Sequence, residues 1–142
     1  MRPNAAKGCS MSLFKMSKTV IPPRVLLVVD EEAQVCRLMR RCLGEYFDEI
    51  HTAAEPVSAC RILEKKRVTH LLCELHLGGA MSGAELIQFA RWEFPSIERA
   101  VIFTAGDLLE ARARITGPEI NAVMSKTGGI DAIVAALFGK AR

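Results

Sequence analysis

The sequence predicts a doubly wound α/β domain built on a five-stranded parallel sheet. After residue 23, short apolar runs alternate five times with amphipathic stretches, and this alternation is typical of βα units. Half of the residues are hydrophobic but only 6% are aromatic, which favours an aliphatic core of short buried strands covered by helices. A chain of 142 residues suits one such domain and is short for two.

The first two βα units occupy the N-terminal half of the predicted domain. Residues 25–29 (VLLVV) form a continuous apolar run and are predicted to be a buried strand. Residues 49–53 (EIHTA) are less apolar and indicate an edge strand. The second helix is expected from Pro56 to about Arg67, because proline is tolerated in the first turn of a helix. The first helix is predicted from apolar residues at helical spacing, which are Val35, Leu38, Met39, Cys42, Leu43 and Tyr46.

Three further units complete the predicted sheet. The third, fourth and fifth strands are predicted at residues 70–75, 100–104 and 120–125. A glycine-rich loop at residues 78–83 precedes the helix that follows the third strand. The third helix is expected to contain Leu86, Ile87 and Ala90, and a short fourth helix is expected around residues 107–115. The apolar face of the last helix is expected to consist of Ile130, Ile133, Val134, Leu137 and Phe138.

Residues 1–23 are predicted to be a basic arm outside the domain and without fixed structure. They contain lysine and arginine but no aspartate or glutamate, and the pair Pro22-Pro23 prevents a helix from continuing through this segment. The domain itself is expected to span residues 24–142.

Composition argues against several other classes of protein. The net charge of +3 is too small to indicate a nucleic-acid partner. The five cysteines form no CxxC pair and fall mostly on apolar positions, which favours free thiols in a reducing compartment. No apolar run reaches about 18 residues, so no membrane partner is expected and the protein is predicted to be cytoplasmic. His51, His70 and His76 are scattered, and we expect them to be partly exposed without a metal role.

Residues that carry chemistry directly follow four of the predicted strands. In an open parallel sheet, ligands bind beyond the carboxyl ends of the strands, so these side chains should converge. Charged groups next to hydrophobic strands are costly unless they are paired or bind an ion, and the joint pattern therefore indicates a site. The residues are Asp30, Glu31, Glu32, Glu74, Thr104 and Lys126.

These segments resemble the receiver domains of bacterial response regulators, from about residue 24 to residue 138. RVLLVVDEE resembles the family's first strand and its metal-binding acidic pair, which implies that role for Asp30 and Glu31. LLCELHLGGAMSG resembles the strand and loop around the phosphate-accepting aspartate and has Glu74 at that position. VIFTAGD implies that Thr104 is the switch hydroxyl, and VMSKTGG implies that Lys126 is the lysine that pairs with phosphate. The resemblance also implies the flavodoxin-like strand order 2-1-3-4-5.

In this family an aspartate accepts a phosphoryl group, Mg²⁺ offsets the charge on that group, and the lysine pairs with the product. The phosphate then shifts the face formed by the fourth helix, the fifth strand and the fifth helix. The resemblance therefore implies a signalling domain and not an enzyme. The implied partner is a histidine kinase or another response regulator, or a second copy that forms a homodimer through that face.

Three positions depart from the family pattern. Glu74 is one methylene longer than aspartate, which displaces the carboxylate by on the order of 1 Å and can cost ~10²-fold in rate. Val123 occupies the position of the usual aromatic switch residue, and Thr127 replaces a common proline. We therefore expect a pseudo-receiver with poor or no phosphorylation and weak Mg²⁺ binding. Glu74 either imitates the phosphorylated state by pairing with Lys126 or, as we favour, keeps the pocket occupied in a domain that is a fixed interaction surface.

Two other functions are compatible with the same residues. A phosphatase could use Asp30 as its nucleophile, although such enzymes usually carry a second aspartate where this chain has Glu32. A purely structural scaffold is the other alternative. The glycine-rich loop does not indicate a dinucleotide site, because that fingerprint follows the first strand of the sheet, where this chain is acidic.

Overall fold

The computed structural model describes residues 21–139, in which five strands alternate with five helices. All five strands are parallel and lie in the order β2-β1-β3-β4-β5, so the predicted doubly wound, flavodoxin-like sheet is confirmed. Most of the basic arm predicted at residues 1–23, together with Cys9, lies outside the described residues. The strands are β1 (Val25–Val29), β2 (Glu49–Ala53), β3 (His70–Glu74), β4 (Arg99–Thr104) and β5 (Ala122–Ser125). The helices are α1 (Ala33–Leu43), α2 (Pro56–Lys65), α3 (Gly83–Glu93), α4 (Leu108–Arg114) and α5 (Ile130–Phe138).

The core consists of two apolar layers, one on each face of the sheet. Alternate residues of a strand point to opposite faces, so Leu27 and Leu71 contribute to the layer beneath α2, α3 and α4. Leu26 and Leu72 contribute to the layer beneath α1 and α5. Because helices cover both faces, β1 and β3 are buried along their whole length, which explains the continuous apolar sequence of β1 and the apolar centre of β3, between His70 and Glu74.

Two predictions about individual side chains were wrong. Leu38 was expected on the buried face of the first helix but is 43% exposed, because Cys36, Met39 and Leu43 form the face that packs on the sheet. His70 was expected to be partly exposed but is only 3% exposed. Helical spacing alone did not specify which face of α1 packs on the sheet. The burial of His70, at the start of β3, depends on the residues that pack over it.

The loop after β3 holds the end of that strand close to α3. The N–H of Gly83 donates to the carbonyl of Leu75 at 2.8 Å, and a Cβ on Gly83 would collide with the carbonyl oxygen of Glu74. Ser82 caps α3 by accepting from the N–H of Glu85, whose carboxylate accepts from the N–H of Ser82. Glycine at position 83 therefore allows the helix to start directly against the strand that carries Glu74.

No helix within residues 21–139 has both the length and the apolar character needed to cross a bilayer. The cysteines in this range are free thiols: Cys36, Cys42, Cys60 and Cys73. Cys73 lies in the layer beneath α2, α3 and α4, and burial raises the pKa of its thiol.

Candidate functional site

Four of the six side chains singled out at the strand ends meet at one place. Asp30 follows β1, Glu74 and Thr104 end β3 and β4, and Lys126 follows β5. Asp30, Glu74 and Thr104 are 1%, 6% and 1% exposed, so two carboxylates and a hydroxyl are enclosed at the carboxyl edge of the sheet. They line a cavity of about 250 Å³ that opens to solvent.

Lys126 is at the centre of this cluster. Its Nζ lies 2.6 Å from Oδ2 of Asp30 and 2.7 Å from Oε1 of Glu74, and its side chain is 14% exposed. The exposed carboxylate of Glu32 is farther away, at 3.6 Å. The backbone N–H of Lys126 donates to the carbonyl of Thr104 at 2.9 Å, which extends the pairing of β5 with β4 and directs the lysine over the rim. One ammonium thus lies between the two buried carboxylates.

Glu74 uses both carboxylate oxygens within the chain. Oε1 faces Lys126, and Oε2 accepts from the backbone N–H of His76 at 3.0 Å. Burial by itself would raise the pKa of Glu74. Lys126, the N–H of His76 and the hydroxyl of Thr104 outweigh burial and hold this pKa below its ordinary value. Glu74 is therefore a carboxylate at neutral pH, and donors surround it.

Asp30 is held in a similar way. Its Oδ1 accepts from the backbone N–H of Glu32 at 2.9 Å, while no donor among residues 21–139 other than the ammonium of Lys126 reaches Oδ2. Burial opposes the charge on Lys126, but Asp30 and Glu74 outweigh it and raise the pKa of the lysine. Lys126 stabilises both carboxylates, so removal of its ammonium would leave two buried negative charges without a counterion.

Glu31 lines the same cavity but makes no ion pair with Lys126. It is exposed, and its carboxylate turns toward Gly78 in the loop after β3, with Oε1 3.0 Å from the position that a Cβ on that glycine would take. Within residues 21–139, no group of three or more His, Cys, Asp or Glu side chains is arranged to hold a metal ion. Proteins usually hold Mg²⁺ through one or two carboxylates together with waters in octahedral geometry. Asp30 and Glu74 could supply such carboxylates, but the ammonium of Lys126 lies between them and competes with the ion for both.

We expect Mg²⁺ to bind the wild-type chain more weakly than about 1 mM, because the ion must displace Lys126 from both carboxylates. Amide NMR shifts of Asp30, Glu74 and Lys126 during a Mg²⁺ titration would measure the affinity. Lys126→Met is the matched comparison, since it keeps a long side chain but removes the ammonium, and it should bind Mg²⁺ more tightly. Saturation of the wild-type chain well below millimolar Mg²⁺ would show that the ammonium does not block the site.

Val123, the position of the expected aromatic switch, is half-buried on the edge strand β5. Its carbonyl accepts two hydrogen bonds from the guanidinium of Arg112 on α4, at 3.2 and 3.0 Å. Thr104 Oγ1 accepts from the N–H of Gly106 at 3.2 Å, which leaves its hydroxyl hydrogen available to Glu74. The hydrogen bonds from Arg112 to the carbonyl of Val123 thus connect α4 to β5, at a position where the side chain is small and apolar.

The sequence did not indicate the roles of Arg112 and His76. The N–H of His76 reaches Glu74 only because the loop turns back immediately after β3, and Arg112 reaches Val123 only because α4 packs beside the edge strand. No residue type signals a backbone donor or a contact of this kind. The sequence predicted Glu32 to lie at the strand ends, because it belongs to the acidic run DEE after the first strand. It is the third carboxylate near Lys126 and the most exposed of the three.

Comparison with known proteins identifies one family. The family model described as "Response regulator receiver domain" matches residues 26–138. No curated protein matches the chain significantly.

Solved structures share the fold at low sequence identity. The signal receiver domain of an HD domain-containing protein from Pseudomonas fluorescens Pf-5 is 22% identical, with a TM-score of 0.73, over 84% of this chain and 94% of that one. A CheY-like receiver domain protein from Methanospirillum hungatei JF-1 is 18% identical, with a TM-score of 0.72 and the same coverage of 84% and 94%. RcsB from Salmonella enterica serovar Typhimurium, bound to the promoter rprA, is 16% identical, with a TM-score of 0.72, over 82% of this chain and 67% of that one.

Proposed function

Because the chain belongs to the response regulator receiver domain family, we propose that it is a pseudo-receiver whose site does not accept phosphate and whose output is a contact with another protein. Receiver domains act in two-component signalling and are generally not enzymes. In this chain, Glu74 takes the position of the phosphoacceptor, Asp30 and Glu31 those of the acidic pair, Thr104 that of the switch hydroxyl, and Lys126 that of the phosphate-pairing lysine.

The contact between Lys126 and Glu74 at 2.7 Å is the observation that carries this proposal. A carboxylate attacks a phosphoryl donor only if one oxygen is free and the approaching negative charge is offset. Here one oxygen of Glu74 faces the ammonium and the other accepts from the N–H of His76, and the same ammonium contacts Asp30. The cation that would stabilise an incoming phosphate is already neutralised by two carboxylates of the chain.

The contact between Glu74 and Lys126 is also the one that imitation of the phosphorylated state requires, so this contact does not separate the two interpretations of Glu74. The surroundings of the pocket favour a fixed interaction surface over a switch. Lys126 contacts both carboxylates, and the pKa of Glu74 is held below its ordinary value, so Glu74 keeps its negative charge at neutral pH. Val123 provides no aromatic ring that could change position, and the contact from Arg112 ties its carbonyl to α4. We infer that at neutral pH the domain keeps one arrangement of the face formed by α4, β5 and α5.

That face is also the proposed contact surface. A groove of about 820 Å³ runs along the edge strand, and Arg112, Val123, Met124, Ala132 and Ala135 are among the residues that line it. The mixture of apolar side chains with arginine suits a protein partner. A histidine kinase, another response regulator or a second copy of the chain is the kind of partner that we propose.

The phosphatase alternative receives less support. Its nucleophile would be Asp30, whose Oδ1 accepts from the N–H of Glu32 and whose Oδ2 faces Lys126. A donor lies beside each of these oxygens, so attack on a phosphoester would first require loss of one of the two contacts.

The direct test of the proposal is incubation of the wild-type chain with acetyl phosphate and Mg²⁺. We expect intact-mass spectrometry to find no added phosphoryl group, because Glu74 is bound by Lys126 and His76. Acid-labile or alkali-labile phosphate on Glu74 would contradict the proposal. Phosphate on Asp30 would instead support the phosphatase alternative.

A further inference from the structure

A second cluster lies at the amino edge of the sheet, opposite the candidate site, where the C-terminal helix α5 ends. Phe138, the last residue of α5, stacks on Phe47 with ring centroids 5.3 Å apart. The ring of His70, at the start of β3, lies 5.1 Å from the ring of Phe47 and 5.2 Å from that of Phe138. A buried imidazole therefore forms part of the surface on which the end of α5 packs.

The hydrogen bonds around His70 identify the nitrogen that carries the hydrogen in the neutral ring. Thr69 Oγ1 accepts from the N–H of Val25 at 2.9 Å, lies 3.1 Å from the carbonyl of Val25, and is 2.8 Å from Nδ1 of His70. The single hydroxyl hydrogen of Thr69 cannot serve both the carbonyl and Nδ1. All three contacts are satisfied when Nδ1 carries the hydrogen and donates it to Thr69. We therefore assign the Nδ1–H tautomer, in which the next proton would be added at Nε2.

Two arginines hold the same end of α5. Arg99 is the direct neighbour of His70 across the β3–β4 pairing, and its guanidinium donates twice to the carbonyl of Ala136, at 3.2 and 2.7 Å. The guanidinium of Arg24 lies 4.8 Å from the ring centroid of Phe138. A protonated His70 would thus be a third cation between two cations that already contact the helix.

The charged groups around His70 come from the elements packed against it. Arg24 precedes β1 and Arg99 begins β4. Glu98, the carboxylate that affects the pKa of His70, is exposed. Burial lowers the pKa of His70. Glu98 opposes this effect, and Arg24 and Arg99 add to it, so the folded protein favours the neutral ring.

We propose that protonation of His70 releases the last turn of α5 from the sheet, so that the face formed by β5 and α5 responds to mild acid. A charge on the imidazole is poorly solvated between Phe47 and Phe138. The exposed Glu98 attracts that charge, and Arg24 and Arg99 repel it. Ala135, Ala136 and Gly139 line the groove along β5, so displacement of this turn changes the groove directly. This inference goes beyond the proposed function and does not depend on the phosphoacceptor position.

The pH at which release begins follows from the direction of the pKa shift. The state with α5 released exposes His70, which then binds a proton with an ordinary pKa of 6.5, whereas the attached state binds it less readily. The free energy that holds the last turn of α5 on the sheet is therefore greatest above pH 6.5 and decreases as the pH falls below this value. The release equilibrium changes by up to about tenfold per pH unit until the folded-state pKa is reached.

Hydrogen exchange of the full chain tests the proposal. Between about pH 7.5 and about pH 5.5, with rates corrected for the intrinsic effect of pH, amides of α5 should lose protection while those of β1 and β3 keep theirs. His70→Gln can still bond to Thr69 but stays neutral, so its α5 amides should lose no protection in acid. His51→Gln, which removes a half-buried histidine bonded to Glu49, is the matched control and should behave like the wild type.

Three results would overturn the proposal. These are unchanged protection of α5 in the wild-type chain, an equal loss of protection in His70→Gln, and an equal loss throughout the sheet. If His70→Gln does not fold, NMR of the imidazole in the wild-type chain still decides the matter. Titration of His70 below pH 6.5 together with the α5 amides supports the proposal, and titration at or above 6.5 without change in α5 contradicts it.

Discussion

Glu74→Asp should accept a phosphoryl group from acetyl phosphate, at least about 10²-fold faster than the wild-type chain. The substitution shortens the side chain by one methylene and withdraws the carboxylate from its contact with Lys126, which is 2.7 Å in the wild type. Under the proposed assignment of Glu74 to the phosphoacceptor position, it also restores aspartate, whose carboxylate can form an acyl phosphate. The rest of the pocket is retained, because Asp30, Thr104 and Lys126 remain at their strand ends.

Intact-mass spectrometry after incubation with acetyl phosphate, with and without Mg²⁺, measures this effect. The added mass should be labile and should require Mg²⁺. Glu74→Gln is the matched control, because it keeps the length of glutamate but lacks a nucleophile, and it should stay unmodified. In the Glu74→Asp background, a further Lys126→Ala change should weaken the conformational change that phosphorylation causes in the domain. If Glu74→Asp also remains unmodified, the pocket differs from a competent receiver at more than one residue, and the scaffold alternative is preferred.

Lys126→Met should lower the free energy of unfolding by about 3–5 kcal/mol near neutral pH. Methionine keeps the length and packing of the lysine stem but leaves the carboxylates of Asp30 and Glu74 buried without a counterion. One of them must then take up a proton, or water must enter the cavity. Urea or thermal unfolding would measure the loss, which corresponds to a fall in Tm of roughly 10 °C or more for a domain of this size.

Glu32→Gln provides the comparison for that experiment. Its carboxylate is 67% exposed and 3.6 Å from the same ammonium, so its removal should change the free energy of unfolding by less than about 1 kcal/mol. Lys126→Met should also become more stable as the pH falls from neutral, because protonation of one carboxylate relieves the repulsion between the two. A Lys126→Met protein as stable as the wild type at neutral pH would show that the ion cluster contributes little to the fold.

The site could be located from the sequence, but its internal contacts could not. Asp30, Glu74, Thr104 and Lys126 each directly follow or end a strand, and parallel topology alone brings such positions to one edge. The shared contact of Lys126 with two carboxylates depends on side-chain length and on the distance between β1, β3 and β5. Glu31 is one residue farther from its strand, so the turn, and not the sheet, directs it toward Gly78.

The sequence by itself determined the parallel sheet and its element order, because hydrophobic periodicity is a local pattern that can be read from one chain. The family followed from the resemblance of four segments to receiver domains, and the family model that matches residues 26–138 confirms it. Only the tertiary structure decided which candidates are buried. Leu38 is exposed because the rotation of α1 is set by its fit against the sheet, and His70 is buried because Phe47 and Phe138, distant in sequence, close over it. Burial and charge pairing depend on contacts between residues far apart in the chain, and no local pattern specifies them.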